Sequence, residues 1–272
     1  MGKRDYYEDL TNRNIGLVTE EQQAKLKNSC VAIFGLGGLG GTAAEALCRM
    51  GIGHMKMIDH SVFEPTNLNR QIFCFRSTIG QKKREVTKRF LADINPDIKI
   101  DMYELENSAN IKDILKGVDA IVLATDTVKA CIIVSRAARE MDIPLVESWA
   151  VLYLNVRVFT KDTVTLEEAY NLNTAGKKTE EFSKNELKEM DVKMLDKFLY
   201  EIEGLKSYRT ELLNKRIAQR ENPTLGPFVF LNAVFMAVET VKVLLGWGDI
   251  SYAPRFAAYD PILHNIPKQI KT

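Results

Sequence analysis

Short apolar runs alternate with amphipathic stretches along the first half of the chain. Cys30–Phe34 is a compact β-branched and aromatic run, and Thr42–Met50 places Ala, Leu and Met at helical spacing. Met55–Ile58 is a second short apolar run, which ends at Asp59. Runs of this length are typical of buried strands, so the three segments predict a strand–helix–strand unit with parallel strands.

The same alternation continues to about residue 146 and predicts an α/β fold with a mostly parallel sheet and right-handed crossovers. Further helices are predicted at Thr19–Lys27, Gly80–Ile94, Ile111–Lys116 and Lys129–Met141, and further strands at Ile98–Glu104, Ala120–Ala124 and Pro144–Val146.

The C-terminal half has a different pattern. Val151–Thr160 alternates apolar and polar residues, which predicts a half-exposed antiparallel strand, and Arg255–Asp260 predicts a last strand. Residues 161–222 are rich in Lys and Glu and predict a helical, charged insertion within a single domain that covers residues 1–272. Pro223–Leu245 is strongly apolar, and we interpret it as a core or subunit-interface helix. The expected fold is therefore Rossmann-like, with antiparallel C-terminal strands.

The composition excludes few functions, but it gives no support for several kinds of partner and site. Of 272 residues 46% are hydrophobic, and the net charge of +1 gives no global reason to bind DNA or a membrane. The four cysteines, at positions 30, 48, 74 and 131, form no CxxC pair, so we expect neither a zinc site nor a disulfide framework. The polar amino terminus has no apolar signal region, so we expect a cytoplasmic protein.

A glycine-rich turn follows the first strand. The segment Gly35-Leu36-Gly37-Gly38-Leu39-Gly40 satisfies GxGxxG, in which Gly35 permits the turn and Gly37 lets the backbone approach phosphates, while Gly40 allows close helix packing. Asp59 stands about twenty positions on, where such a carboxylate accepts hydrogen bonds from ribose hydroxyls. These features predict a nucleotide and leave NAD(P), FAD and ATP open, with the first two favoured by their frequency.

The segment after Asp59 favours ATP. It contains Asn67-Leu68-Asn69-Arg70-Gln71 and then Gly80-Gln81-Lys82-Lys83. A hydride-transfer enzyme has no need for several cations beside the ribose-binding acid, whereas a triphosphate is stabilised by fixed Arg, Lys and Mg²⁺. The joint placement of Arg70 and Lys83 therefore indicates a triphosphate site.

Together with Ala124-Thr125-Asp126 at a strand end, these motifs resemble the ThiF/MoeB/HesA family of adenylating enzymes. The similarity covers roughly Arg13 to Thr160 and resumes from Pro223 to about Pro267. It implies ATP-dependent adenylation of a carboxylate, which gives an acyl-adenylate and pyrophosphate.

The resemblance also assigns roles. It implies that Arg70 and Lys83 stabilise the transition state, that Asp126 places Mg²⁺, and that Arg13 acts on the triphosphate of the other subunit of a homodimer. Lys82 stands beside Lys83, and only the register of this segment against the family motif favours Lys83. By this resemblance the catalytic residues are Arg13, Arg70, Lys83 and Asp126, and the nucleotide-binding residues are Gly35, Gly37, Gly38, Gly40, Asp59, Asn67, Gln71, Lys82 and Thr125.

The sequence departs from the family pattern in several places. It lacks the paired CxxC motifs of zinc-containing relatives, and no cysteine follows Cys131, which excludes a thioester in the crossover loop. Ser61 replaces the family's second acid near Asp59, and Thr127 replaces an Asn after the magnesium carboxylate.

The substrate stays open. The resemblance allows the C-terminal Gly-Gly of a ubiquitin-like or sulfur-carrier protein, a small-molecule carboxylate, or a carboxylate on tRNA; a slight excess of acids in residues 161–222 disfavours tRNA. Two alternatives remain, an NAD(P)- or FAD-dependent oxidoreductase and a non-catalytic nucleotide-binding scaffold. None of His54, His60 and His264 stands in an obvious catalytic setting for the former.

Overall fold

A seven-stranded sheet is the centre of the fold. The structure is a computed structural model that describes residues 5–104, 109–174, 176–200, 211, 215–216 and 223–267. The strands are β1 (Cys30–Phe34), β2 (His54–Ile58), β3 (Lys99–Tyr103), β4 (Ala120–Leu123), β5 (Leu145–Glu147), β6 (Leu154–Phe159) and β7 (Ala257–Tyr259). Their order in the sheet is β3-β2-β1-β4-β5-β6-β7.

The first five strands are parallel, and the last two are antiparallel to their neighbours. The chain moves outward from β1 to β3 and then crosses back to β4, so the order reverses between β1 and β4. Such a reversal opens a crevice at the carboxyl ends of the strands. The predicted mostly parallel sheet with antiparallel C-terminal strands is confirmed.

Helices cover both faces of the sheet. They are α1 (Tyr6–Thr11), α2 (Glu20–Asn28), α3 (Gly38–Arg49), α4 (Lys83–Ile94), α5 (Ile111–Leu115), α6 (Val128–Glu140), α7 (Leu166–Ala169), α8 (Lys184–Tyr200) and α9 (Gly226–Leu245), with 3-10 turns at Pro65–Asn67 and Thr179–Glu181.

Alternate side chains of β1 enter two separate cores. Ala32 and Phe34 pack in the core that includes α5 to α8, whereas Val31 and Ile33 pack in the core that includes α2, α3, α4 and α9. Burial on both faces explains why the strand is continuously apolar instead of alternating.

The prediction of a half-exposed strand at Val151–Thr160 was wrong in its burial. β6 is antiparallel as expected, but five of its six residues are buried. Val156 and Val158 pack in the core with α9, and Arg157 lies over the Tyr170 ring at 4.5 Å on the other face. The polar positions that suggested solvent are therefore buried and bonded inside the protein.

Several predicted boundaries shift. The helix predicted at Gly80–Ile94 begins at Lys83, because Lys82 is extended (φ −62°, ψ 128°) and pairs with Val62 in an isolated bridge. The helix predicted at Thr42–Met50 begins earlier, at Gly38, inside the glycine motif. The sequence patterns did not predict α1.

Within the described part of the segment 161–222, which the sequence predicts to be helical, α7 and α8 are joined by irregular chain and the 3-10 turn at Thr179–Glu181. Thr165 caps the short α7, and α8 runs for 17 residues. Most of residues 201–222 lies outside the described residues. Asp191 of α8 accepts a hydrogen bond from the Val128 N–H at 3.3 Å, so α8 caps the start of α6.

α9 is long and apolar enough to cross a membrane by length and composition alone. Half of the most apolar segment of this helix is buried inside the protein, and the helix packs mainly on α3 and β6. A buried core helix passes the same test, and Asn232 and Glu239 lie within α9 and are buried. The contacts fit the predicted core helix.

Candidate functional site

A cavity of about 660 Å³ lies at the carboxyl ends of β2, β1, β4 and β5, where the strand order reverses. Three strand spacings separate β2 from β5, a distance of about 14 Å. Nine of the thirteen predicted site residues line it: Gly35, Gly37, Gly38, Asp59, Arg70, Gln71, Lys83, Thr125 and Asp126. Arg13, Gly40, Asn67 and Lys82 are not among the lining residues.

The glycine turn is packed so closely that three of its positions exclude a side chain. A Cβ on Gly35 (φ +90°) would lie 2.5 Å from the Ala124 carbonyl oxygen, and one on Gly38 would lie 2.5 Å from a methyl of Val229. A Cβ on Gly40 would lie 1.8 Å from the Gly35 oxygen. Gly40 therefore acts beneath the turn, as the close-packing interpretation predicts.

Gly37 is the position of the turn that stays open. A Cβ there would meet only the Gln71 side-chain amide, at 3.5 Å from its Nε2. α3 begins at the next residue, so the unpaired N–H groups of its first turn face the cavity. Open backbone at a helix N-terminus is a favourable environment for phosphate.

Asp59 is fixed by the backbone on both of its oxygens. Its Oδ2 accepts a hydrogen bond from the Leu36 N–H at 2.7 Å, and its Oδ1 accepts bonds from the Ser61 N–H at 2.7 Å and from the Ser61 hydroxyl. Ser61, which replaces an acid of the family pattern, thus orients the remaining carboxylate. A carboxylate oxygen retains further lone pairs for ribose hydroxyls.

The turn at Pro65–Asn67 positions the next two residues. The backbone oxygen of Asn67 accepts hydrogen bonds from the N–H groups of Arg70 at 3.1 Å and Gln71 at 2.9 Å. Asn67 itself is buried and bonds back to Glu64 and Thr66, so the structure gives it a supporting position under the cavity wall.

Arg70 and Gln71 present polar atoms to the cavity. An Arg70 guanidinium nitrogen donates to the Thr66 oxygen at 2.7 Å and to Asn69 Oδ1 at 2.8 Å, which holds the side chain in a fixed direction. Gln71 is 8% exposed, and its Oε1 has no hydrogen-bond partner among the described residues. A buried, unsatisfied amide oxygen on a cavity wall indicates a site that a polar ligand completes.

The structure distinguishes the two adjacent lysines. Lys83 lines the cavity, with its Nζ 6.0 Å from the centre of the Phe63 ring and its N–H bonded to the Ser61 oxygen at 3.0 Å. Lys82 is exposed and precedes the helix. The register that favoured Lys83 agrees with this placement.

Asp126 stands after β4, on the opposite side of the glycine turn from Asp59. The hydroxyls of its neighbours Thr125 and Thr127 lie 3.3 Å apart. No group of three or more His, Cys, Asp or Glu side chains could hold a metal among the described residues. One carboxylate beside two hydroxyls fits Mg²⁺, since Mg²⁺ usually takes one or two carboxylates together with substrate phosphates and water.

A buried polar chain closes the far end of the cavity, and the sequence patterns missed it. Glu147, at the end of β5, accepts hydrogen bonds from Arg157 Nε at 2.8 Å and from the Tyr170 hydroxyl at 2.8 Å. That hydroxyl accepts the indole N–H of Trp149, also at 2.8 Å. Burial raises the pKa of Tyr170 well above its usual range, so it stays a neutral donor.

A second buried cluster fixes the chain that links β5 to β6. Asn232 of α9 accepts hydrogen bonds from the Asn155 N–H at 2.8 Å and from the Ser148 hydroxyl at 3.2 Å, and donates to the Tyr153 oxygen at 3.0 Å. The partners are separated by up to 84 residues in sequence. No local pattern could have indicated them.

Two further lining residues, His60 and Cys131, are of types that can take part in catalysis. His60 is exposed at the cavity wall next to Asp59, a position the sequence did not favour. Cys131 also lines the cavity, but burial raises its pKa well above the usual thiol value. The thiolate, not the thiol, is the reactive form, so this cysteine is poorly suited to be a nucleophile.

The sheet order, glycine turn and ribose-type carboxylate define a nucleotide-binding α/β protein of the Rossmann type. The chain belongs to the ThiF family, whose sequence model matches residues 11–271. The family resemblance drawn from the motifs is therefore confirmed.

Named relatives agree with this membership. The tRNA threonylcarbamoyladenosine dehydratase of Bacillus subtilis is 37% identical over 141 residues, which are 50% of this chain and 55% of that protein. The adenylyltransferase and sulfurtransferase UBA4 of Saccharomyces cerevisiae is 29% identical over 240 residues, 87% of this chain and 47% of that protein. The chain thus spans about half the length of these curated relatives.

Solved structures share the fold. PaaA superposes with a TM-score of 0.68 at 19% identity, and the match covers 98% of this chain and 75% of the PaaA chain. E. coli MccB with ATP gives a TM-score of 0.62 at 20% identity, and the match covers 92% of this chain and 66% of the MccB chain.

Proposed function

We propose that this protein adenylates a carboxylate with ATP. The observation that carries the proposal is the convergence of the glycine turn, Asp59, Arg70, Lys83 and Asp126 on one cavity. Family membership supports it, since the family includes adenylyltransferases such as UBA4. A hydride-transfer site would not explain two cations and a second carboxylate around the glycine turn.

The step is a substitution at phosphorus. A carboxylate oxygen of the substrate attacks the α-phosphorus of ATP, a new P–O bond forms, and the bond to the pyrophosphate oxygen breaks. Arg70 and Lys83 supply fixed positive charge where negative charge spreads over the phosphate oxygens. The Thr66 oxygen and Asn69 Oδ1 hold the Arg70 guanidinium, and the Ser61 oxygen holds the Lys83 backbone, which supports preorganised charge. No protein nucleophile takes part.

Mg²⁺ belongs to the same proposal, with Asp126 as its protein ligand. When bound, the ion would neutralise phosphate charge and orient the phosphates. The exposed Asp126 carboxylate at the cavity wall and the hydroxyls of Thr125 and Thr127 support this placement.

The acceptor belongs to one of the carboxylate classes that the family resemblance allows. One relative is named an adenylyltransferase and sulfurtransferase, and another is named for a tRNA nucleoside. The names alone therefore do not choose among a sulfur-carrier terminus, a small acid and tRNA. We propose that residues 161–222, within one adenylation domain, help to receive the substrate. Asp191 of α8, which accepts the Val128 N–H at the start of α6, and Leu195 on the cavity wall support that role.

A cytoplasmic homodimer completes the proposal. Arg13 is exposed and stands outside the cavity, which suits a residue that reaches the site of a second subunit. Leu231, Val234 and Val238 form an exposed apolar stripe along α9, with exposed fractions of 44–49%. Such a stripe is a suitable interface for a second copy.

Exchange of labelled pyrophosphate into ATP tests the activity. The expected result is exchange that requires both a carboxylate and Mg²⁺, together with a thermal shift caused by ATP and not by NAD or FAD. A shift with a nicotinamide or flavin and none with ATP would establish the oxidoreductase instead. ATP binding without exchange for any carboxylate class would favour a nucleotide-binding scaffold.

A further inference from the structure

The end of the cavity away from Asp59 is walled by apolar side chains that are only half-buried. Trp149, Val151 and Leu152 follow β5, Leu195 comes from α8, and Phe228 lies in the first turn of α9. Three separate elements thus direct apolar surface into one concave space. Half-exposed apolar surface in a concavity is the part of a site that gains most from covering by an apolar group.

The polar groups at this end are engaged with one another. Glu147 is 3% exposed and holds Arg157 and the Tyr170 hydroxyl, and Ser148 is bonded to Asn232. A polar or charged substrate group placed here would lose water without gaining these partners, which is unfavourable. Because Arg157 compensates the charge of Glu147, the described part of this wall offers no free cation to a phosphate-bearing acceptor.

The two ends have different charge. Arg70, Lys83 and the glycine turn lie at the carboxyl ends of β1 and β2, whereas the apolar wall follows β5. A carboxylate that meets the α-phosphate between them would have the apolar wall on the side away from the two cations.

We propose that this apolar end is the acceptor subsite, that it takes a carboxylate borne on an uncharged apolar group, and that Trp149 determines this preference. The inference rests on the proposed adenylation and specifies its substrate class. Trp149 is suited to the role because its indole N–H is tied through the Tyr170 hydroxyl to Glu147, so its ring is held in one orientation.

Isosteric acids test the preference. The compounds are 4-methylpentanoate, succinamate and succinate, which share one skeleton and differ only in an apolar, amide or charged end. The same ends occur in N-acetyl-Gly-Gly peptides that terminate in Leu, Asn or Asp, which separates a free acid from a chain terminus. We measure pyrophosphate exchange with both series. In the series that the protein accepts, we expect kcat/KM for the apolar acid to be about tenfold higher than for the amide, and higher still relative to the charged acid.

Variants at Trp149 sharpen the test. Trp149→Ala should bring the ratio of kcat/KM between the apolar and amide acids to near unity, through a change in KM. Trp149→Phe keeps a ring and loses the indole N–H, and it should retain most of this ratio. The thermal shift caused by ATP should be unchanged in both. Equal or reversed preference in the wild-type protein, or a ratio that Trp149→Ala leaves intact, would overturn the inference.

The readouts keep this inference separate from the proposed function. Absence of any shift with ATP would refute adenylation itself. A normal shift with ATP, with exchange driven by the amide or charged acids, would refute only the apolar subsite. A normal shift with ATP and no exchange from any of the six compounds would also refute the subsite, because the preferred acids would not be substrates. Exchange with the other carboxylate classes would then decide whether adenylation itself stands.

Discussion

The two ends of the cavity are built in different ways. At the nucleotide end, functional side chains are held by backbone groups close in sequence: Ser61 orients Asp59, and the oxygens of Thr66 and Asn67 hold the Arg70 side chain and backbone. At the acceptor end, side chains hold one another over long separations, as Glu147 and Tyr170 do. A local motif can encode the first arrangement, whereas the second exists only once the chain has folded.

This contrast has an energetic consequence. Removing a cation at the nucleotide end takes away a group that the backbone does not need for its fold. Removing a member of the acceptor network leaves a buried charge or a buried donor without its partner, which costs far more than the bond itself contributed. We therefore expect activity to fail at one end and stability at the other.

Arg157→Met is expected to show the largest effect. The substitution leaves the Glu147 carboxylate buried at 3% exposure without its ion-pair partner, and breaking such a pair costs about 3–5 kcal/mol in the free energy of unfolding. Urea denaturation measures the loss.

The double variant Glu147→Gln/Arg157→Met is the matched control. It removes both charges, so we expect it to recover a large part of the stability. A single variant as stable as the wild type, or a double variant worse than the single one, would contradict the view that the charges matter through their burial.

Lys83→Ala and Arg70→Ala are expected to act on activity instead. Each should reduce carboxylate-dependent exchange by about 10²–10³-fold, the usual cost of one preorganised group that stabilises transition-state charge. Neither side chain is buried, so the urea midpoint should change little.

Lys82→Ala gives a neighbouring control of identical charge change. Lys82 is exposed and does not line the cavity, so its exchange rate should stay near that of the wild type. If Lys82→Ala lost as much exchange as Lys83→Ala, the assignment of Lys83 as the lysine that acts on the triphosphate would be wrong.

What the sequence could predict follows the same division. The parallel strands were predictable because burial on both faces leaves uninterrupted apolar runs such as Cys30–Phe34. The glycine turn and Asp59 were predictable because backbone geometry fixes their positions directly after strands, whereas the choice of Lys83 depended on the family resemblance and its register.

The unpredicted features depend on distant partners. β6 read as half-exposed because Asn155 and Arg157 are polar, yet both are buried and bonded. Trp149 gave no signal either, since its partner Tyr170 stands 21 residues away. Periodicity reports burial only for side chains that are apolar.

Mixing of two inactive variants tests the in-trans role of Arg13 with a smaller effect. In a mixed dimer of Arg13→Ala and Arg70→Ala subunits, one of the two sites has an intact Arg70 and receives the partner's intact Arg13. Random mixing should therefore restore about a quarter of wild-type exchange. Light scattering checks the dimer. No recovery from a mixture that does form dimers would show that Arg13 acts within its own subunit or not at all.

The smallest effect is expected at Cys131, although it lies in the cavity wall between the two ends. Its thiol is 2% exposed and burial raises its pKa well above 9, so the thiolate is scarce at pH 8 and grows only as pH rises toward that higher value. Cys131→Ala should keep exchange within about twofold of the wild type, since adenylation at phosphorus needs positioned charge and no nucleophilic side chain. Iodoacetamide at pH 8 should leave this cysteine unmodified in the folded protein and label it in urea. A variant that folds, binds ATP and yet loses exchange would place a covalent step at this thiol, and the boundary between the two ends would then itself be part of the chemistry.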